Sequence, residues 1–111
     1  MPSQSRDIAE VPALEVVSTS ALHLMSAAAV HLGLAEDLPD HRDLDEARFL
    51  IESLAGLLDA SVPRLGHHHA APLRDGLKSL QLAFREASEV PDAPGEGPGE
   101  KYTGAVFPPR R

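Results

Sequence analysis

The chain has 111 residues, no cysteine, no tryptophan and only four aromatic side chains, three Phe and one Tyr. That length holds one small domain with a tail and excludes a multidomain enzyme. The missing cysteines exclude a disulfide scaffold, cysteine-ligated zinc, iron–sulfur clusters and thiol chemistry. A formal charge of −7 argues against direct nucleic-acid binding, and the composition suits an acidic protein of a reducing, cytoplasmic compartment.

The stretch from Met1 to Pro12 lacks a basic region followed by an apolar core, so no secretory signal is expected. Residues 16–35 carry no formal charge, about the length that spans a bilayer. Ser18, Thr19, Ser20, His23, Ser26 and His31 interrupt that run, and no Trp, Tyr or Lys anchors flank it. A buried helix, and no membrane, is the expectation.

The first helix is predicted from near Pro12, whose missing N–H has no helical partner at that position, to Gly33, which suits a left-handed cap. Leu14, Val17, Ala21, Leu24, Met25, Ala28 and Leu32 recur at steps of three and four and form one stripe. Leu22 and Val30 lie off that stripe, so this helix should need neighbours on more than one side.

The second helix should start at Asp43, which has capping-box spacing to Glu46. Leu44, Ala47, Leu50, Ile51, Leu54, Leu57 and Leu58 give its apolar face, and Pro63 is expected to stop it. Phe49 falls on the opposite side with Ser53, Gly56 and Ala60. It is either a single exposed aromatic or the anchor of a second seam lined by small residues.

The third helix is placed from around His69 to Ser88, with Ala70, Leu73, Leu77, Leu80, Phe84 and Ala87 in a heptad-like seam. Gly76 beside this seam costs about 1 kcal/mol of helix propensity relative to Ala and would admit another helix closely. The acidic second helix and the basic third helix suggest an antiparallel hairpin, although the same complementarity would also serve two copies of the chain.

Beyond Val90 the composition changes. The segment from Pro91 holds five of the ten prolines and four of the eight glycines, which predicts a flexible or extended tail. Within it, Lys101 to Pro108 combines Tyr102, Val106 and Phe107 ahead of Arg110 and Arg111. This is either a solvated terminus or a short recognition segment that orders on a partner or packs back across the helices.

Candidate chemistry is sparse. His67, His68 and His69 are consecutive and point in different directions, so their spacing does not chelate one ion. His23 and His31 stand about 12 Å apart along a helix. No serine sits in a strand–turn–helix elbow, and Gly95, Gly97 and Gly99 do not open a helix as a phosphate loop does. Asp43 and Asp45 are explained by capping and the helix dipole. No catalytic, cofactor-binding or metal residue is therefore assigned.

Arg6-Asp7-Ile8-Ala9-Glu10-Val11-Pro12, His23-Leu24-Met25-Ser26-Ala27-Ala28, Asp43-Leu44-Asp45-Glu46-Ala47-Arg48, Pro72-Leu73-Arg74-Asp75-Gly76-Leu77 and Leu80-Gln81-Leu82-Ala83-Phe84-Arg85-Glu86-Ala87 together resemble a family of small bacterial proteins known as domain of unknown function 1844. The tail, from Pro91 to Gly95 and from Gly97 to Gly104, looks like one branch of that family. The resemblance implies a short, mainly helical cytoplasmic protein and carries no catalytic or ligand residues.

The expected architecture is all-α: a small three-helix bundle, or a helical hairpin plus one helix, with a flexible Pro/Gly-rich tail. Residues 1–11 are a flexible N-terminus, 12–89 the helical domain and 90–111 the tail. About 75 residues must supply the whole core, a size at which oligomerisation commonly adds the missing stability. A self-associating protein–protein interaction module, acting as a homo-oligomer and on an unidentified protein partner through tail or helix faces, is the leading functional expectation. Leu22, Val30, Phe49, Leu82, Tyr102 and Phe107 are its candidate contact residues. A metal-binding or small-ligand enzyme in which His41 converges with His67–His69 is the second reading, and an accessory factor of a large assembly the third.

Overall fold

The computed structural model describes residues 9–108. The basic end at Arg110 and Arg111, and most of the N-terminal segment expected to be loose, lie outside them. The described residues are all-α, with three long helices and a short fourth: α1 (Ala13–His31), α2 (Leu44–Leu65), α3 (His67–Ala87) and α4 (Glu100–Thr103).

α1 begins after Pro12, whose carbonyl accepts the Glu15 N–H at 3.0 Å. Leu32 caps it, and Gly33 then turns the chain with φ 77°. A side chain there would also crowd the Pro39 and His41 carbonyls, each 3.1 Å from its Cβ. α2 starts as its sequence predicts, with the Asp43 carboxylate accepting the Glu46 N–H at 3.2 Å. The reciprocal half of the capping box is replaced, because the Asp43 N–H donates to the His31 carbonyl at 2.9 Å. This bond ties the end of α1 to the start of α2.

Pro63 does not stop α2. The helix continues to Leu65 because a proline in the last turn forfeits only one backbone bond, and exposed Asp59 can satisfy its carbonyl with water. The stop is Gly66, at φ 79°. Its carbonyl accepts the Ala70 N–H at 3.0 Å, so α3 begins at His67, two residues before the predicted start, and runs unbroken through Pro72 and Gly76.

The core joins Ala21, Ala28 and Leu32 to Ala47, Ile51, Leu54, Ala55 and Leu58 of α2 and to Ala70, Leu73, Leu77, Leu80 and Phe84 of α3. α1 therefore contributes two alanines seven residues apart, small enough for a close crossing on α2. Gly76 permits the approach of α1 to α3, since a Cβ there would run into the Met25 methyl group.

The expectation that α1 is a buried helix is corrected. It packs on α2 and less extensively on α3, and both lie on one side of it. Only Ala21 and Ala28 are buried along its length, while Val16, Thr19, Ser20, Leu22, His23 and Ser26 are exposed. The expectation of a flexible or disordered tail is not met over residues 91–108, which run mostly without regular secondary structure yet pack back across the helices, the other alternative the sequence offered. This segment folds back over α2 and α3 and closes with the single turn of α4, which rests on α2.

Candidate interaction surfaces

Two surfaces are built differently: the face of α2 and α3 under the tail, and the outer face of α1. The first depends on polar residues at positions where the α3 seam is otherwise apolar. Arg85, one residue past Phe84, forks onto Glu100, with Nε to Oε2 at 2.7 Å and Nη2 to Oε1 at 2.8 Å. The Glu100 side chain is fully buried and that of Arg85 is 16% exposed. Gly95 N–H donates to Glu100 Oε1 at 3.0 Å. The same guanidinium holds the chain on its way to Glu100 by donating to the Asp92 and Ala93 carbonyls at 2.6 and 3.0 Å.

Burial alone would push the Glu100 carboxyl up. The Arg85 bonds, the Gly95 and Val106 backbone N–H groups and the guanidinium charge outweigh it, holding this carboxyl below its ordinary value. Arg85 is raised in turn, chiefly by its bond to Glu100, against desolvation. Bidentate geometry and full pairing are what make a buried ion pair tolerable.

Gln81 is the second anchor. Completely buried, it donates through Nε2 to the Pro98 carbonyl and to Thr103 Oγ1, both at 3.1 Å. Gly99, at φ 75°, lets the backbone lie against α2, where a Cβ would come within 2.7 Å of Ala55 Cβ. Arg48 forms a third tie by pairing with Asp92 at 2.8 Å while its guanidinium stacks over Phe84, 4.9 Å from the ring centre.

Tyr102 lands on Gly56 of α2, with ring atoms 3.4 Å from the position of a Cβ there. Of the small residues opposite the main apolar face of α2, Gly56 takes an aromatic contact. Its aromatic occupant is Tyr102, and Phe49, two turns away, is left 69% exposed. Beside Tyr102 a groove of about 410 Å³ has Ala55, Leu58 and Leu77 as its floor and Asp59 and Arg74 on its walls.

The candidate contact residues thus fall in separate places. Leu22 is 53% exposed on α1, with Val30 half-buried on the same helix. Leu82 is half-buried on α3, and Tyr102 and Phe107 are exposed along the docked tail. Sequence reasoning missed Arg85, Gln81, Glu100 and Gly99. The available signal was a Gln inside the α3 seam together with a Gly-Pro-Gly-Glu run able to approach a helix closely.

The histidines do not converge. His41 Nε2 lies 3.0 Å from His31 Nδ1 at the α1–α2 end, whereas His67–His69 are exposed in the first turn of α3. The length of α2, about 33 Å, separates the two sets. Among the described residues no group of three or more His, Asp or Glu is placed to hold a metal ion.

No curated protein and no solved structure matches the chain. The family model of a domain of unknown function, DUF1844, matches residues 13–86, the span of the three long helices almost to the end of α3, so the chain belongs to the DUF1844 family.

Proposed function

We propose that the protein is a self-associating helical interaction module that uses the outer face of α1. The observation that carries this reading is the exposed, charge-free surface of that helix. No Asp, Glu, Lys or Arg occurs between Glu15 and Glu36, and Val16 and Leu22 are 45% and 53% exposed. Among the described residues fourteen hydrophobic side chains form the buried core, a modest one for a chain that must offset its own ordering entropy. Apolar helix surface that the fold leaves uncovered is where association gains most.

Light scattering on the purified protein tests the reading. A dimer or larger species is expected, shifting toward monomer in Leu22→Asp with unchanged helical circular dichroism. A well-folded monomer at every concentration up to hundreds of micromolar overturns it.

A further inference from the structure

The outer face of α1 is self-complementary about His23, and we propose that it takes a second copy of the chain, packed antiparallel on a twofold axis at that residue. The inference rests on the self-association reading above and adds direction and register. Moving three, four and seven residues either way from His23 reaches Ser20 and Ser26, Thr19 and Ala27, and Val16 and Val30. All six lie within about 60° of His23 at 100° per residue, and exposed Leu22 borders this face about 100° to one side, where an aspartate would sit at the edge of the contact. Five of these seven side chains are exposed, and Ala27 and Val30 are half-buried.

In a closed dimer the same patch meets itself, so residue i faces j and j faces i. Running α1 against its own copy about His23 sets Val16 against Val30, Ser20 against Ser26 and Thr19 against Ala27, with the two imidazoles on the axis. Each pairing joins like with like in size, and the small side chains allow the helices to approach at the short end of about 8–10 Å. A parallel arrangement would also stack identical residues but would align the two helix dipoles side by side.

Charge favours this face over α2 for contact between identical surfaces. Each copy carries −7 overall, and α2 bears Asp45, Glu46, Glu52 and Asp59, so meeting through α2 would oppose carboxylates. The outer face of α1 brings none together. A lipid surface is the poorer occupant even though α1 has the length and composition to cross a membrane. Four hydroxyl or imidazole groups, from Thr19, Ser20, His23 and Ser26, run down the centre of this face.

The native chain has no cysteine, so single cysteines report the geometry directly. Full-length His23→Cys, Val16→Cys, Val30→Cys and, as a collision control on exposed α3 surface, Ser79→Cys would be oxidised mildly, with circular dichroism confirming each fold. His23→Cys should form a disulfide dimer at least about ten-fold faster than Ser79→Cys, because association makes the reaction effectively intramolecular. An equimolar mixture of Val16→Cys and Val30→Cys should link mainly as the mixed pair, since like positions sit about 21 Å apart, beyond disulfide reach. Predominant Val16–Val16 links, or a dimeric mass without enrichment at position 23, overturn this arrangement and leave self-association standing. A monomeric mass with linking no faster than the control overturns both.

Discussion

The face of α2 and α3 and the outer face of α1 are both long helical surfaces, yet the chain covers the first with its own tail and leaves the second bare. The covering runs through charge and backbone: a forked Arg85–Glu100 pair, an Arg48–Asp92 pair, a buried Gln81 and a glycine backed onto Ala55. Such anchors specify one register, because a shifted tail would leave Glu100 buried and unpaired. The α1 face offers valines, hydroxyls and an imidazole, with no charge to satisfy. A surface of that kind suits reversible contact, whereas the tail is fixed in place.

The sharpest way to break this contrast is Arg85→Ala. It strips the guanidinium from a buried carboxylate, an expected loss of about 3 kcal/mol, limited by the point at which the tail simply peels away. Urea unfolding should show that loss, and a protease should gain access between residues 90 and 100 while the helical circular dichroism persists. A tail still resistant to protease in this variant would mean that Arg85 is not its anchor.

Acid should loosen the same contact without mutation. The Glu100 carboxyl titrates below its ordinary value in the folded protein, so the unfolded chain binds the extra proton first as pH falls. Stability from this pair is therefore complete above the ordinary carboxylate range near 4.3 and declines as pH drops through the folded value. Protection of the amides at residues 92–103, taken relative to the unstructured exchange rate at each pH, should fall between pH 6 and pH 3 in Glu100-containing protein. Glu100→Gln should show a flatter acid dependence over the same interval.

Next in size is a pair of glycines within the tail. Gly99→Ala combines a left-handed backbone with contact against Ala55, for an expected loss of about 2 kcal/mol. Gly95→Ala meets only the backbone strain, since nothing lies near its Cβ, and should lose about 1 kcal/mol. Equal losses at the two sites would remove the close approach of tail to α2 as a contributor.

The smallest effect on folding is expected on the bare face. Leu22→Asp should change unfolding stability, measured on dilute monomer, by no more than about 0.5 kcal/mol while altering the mass at high concentration. A large destabilisation of the monomer would show that Leu22 supports the fold, and so narrow the difference between the two surfaces.

The helices were legible because hydrophobic period and capping chemistry agreed. The Asp43 cap, the Gly33 turn and the α3 seam from Ala70 to Phe84 are all where the pattern places them. Pro63 misled because proline breaks a helix interior far more than a last turn. The tail was illegible for a different reason. Its docking uses few apolar side chains, and glycine and proline content reads as flexibility unless the partners of Glu100 and Gln81 are known. Those partners lie fifteen to twenty-two residues away in sequence, outside any local period. The exposure of α1 was hidden as well, because alanine-rich apolar sequence looks alike whether it faces a core or solvent.

One feature of the bundle carries over to how it forms. A single residue, Gly66, separates α2 from α3, so their seam closes by the shortest possible loop and is favoured in the folding transition state. α1 joins from a longer connection, and the tail can dock only after Ile51, Ala55 and Gln81 are assembled beneath it. Mutations near Gly66 should therefore alter the folding rate, and mutations in the tail the unfolding rate. A chain emerging in vectorial order would hold α1 unpaired until the hairpin that receives it has been made.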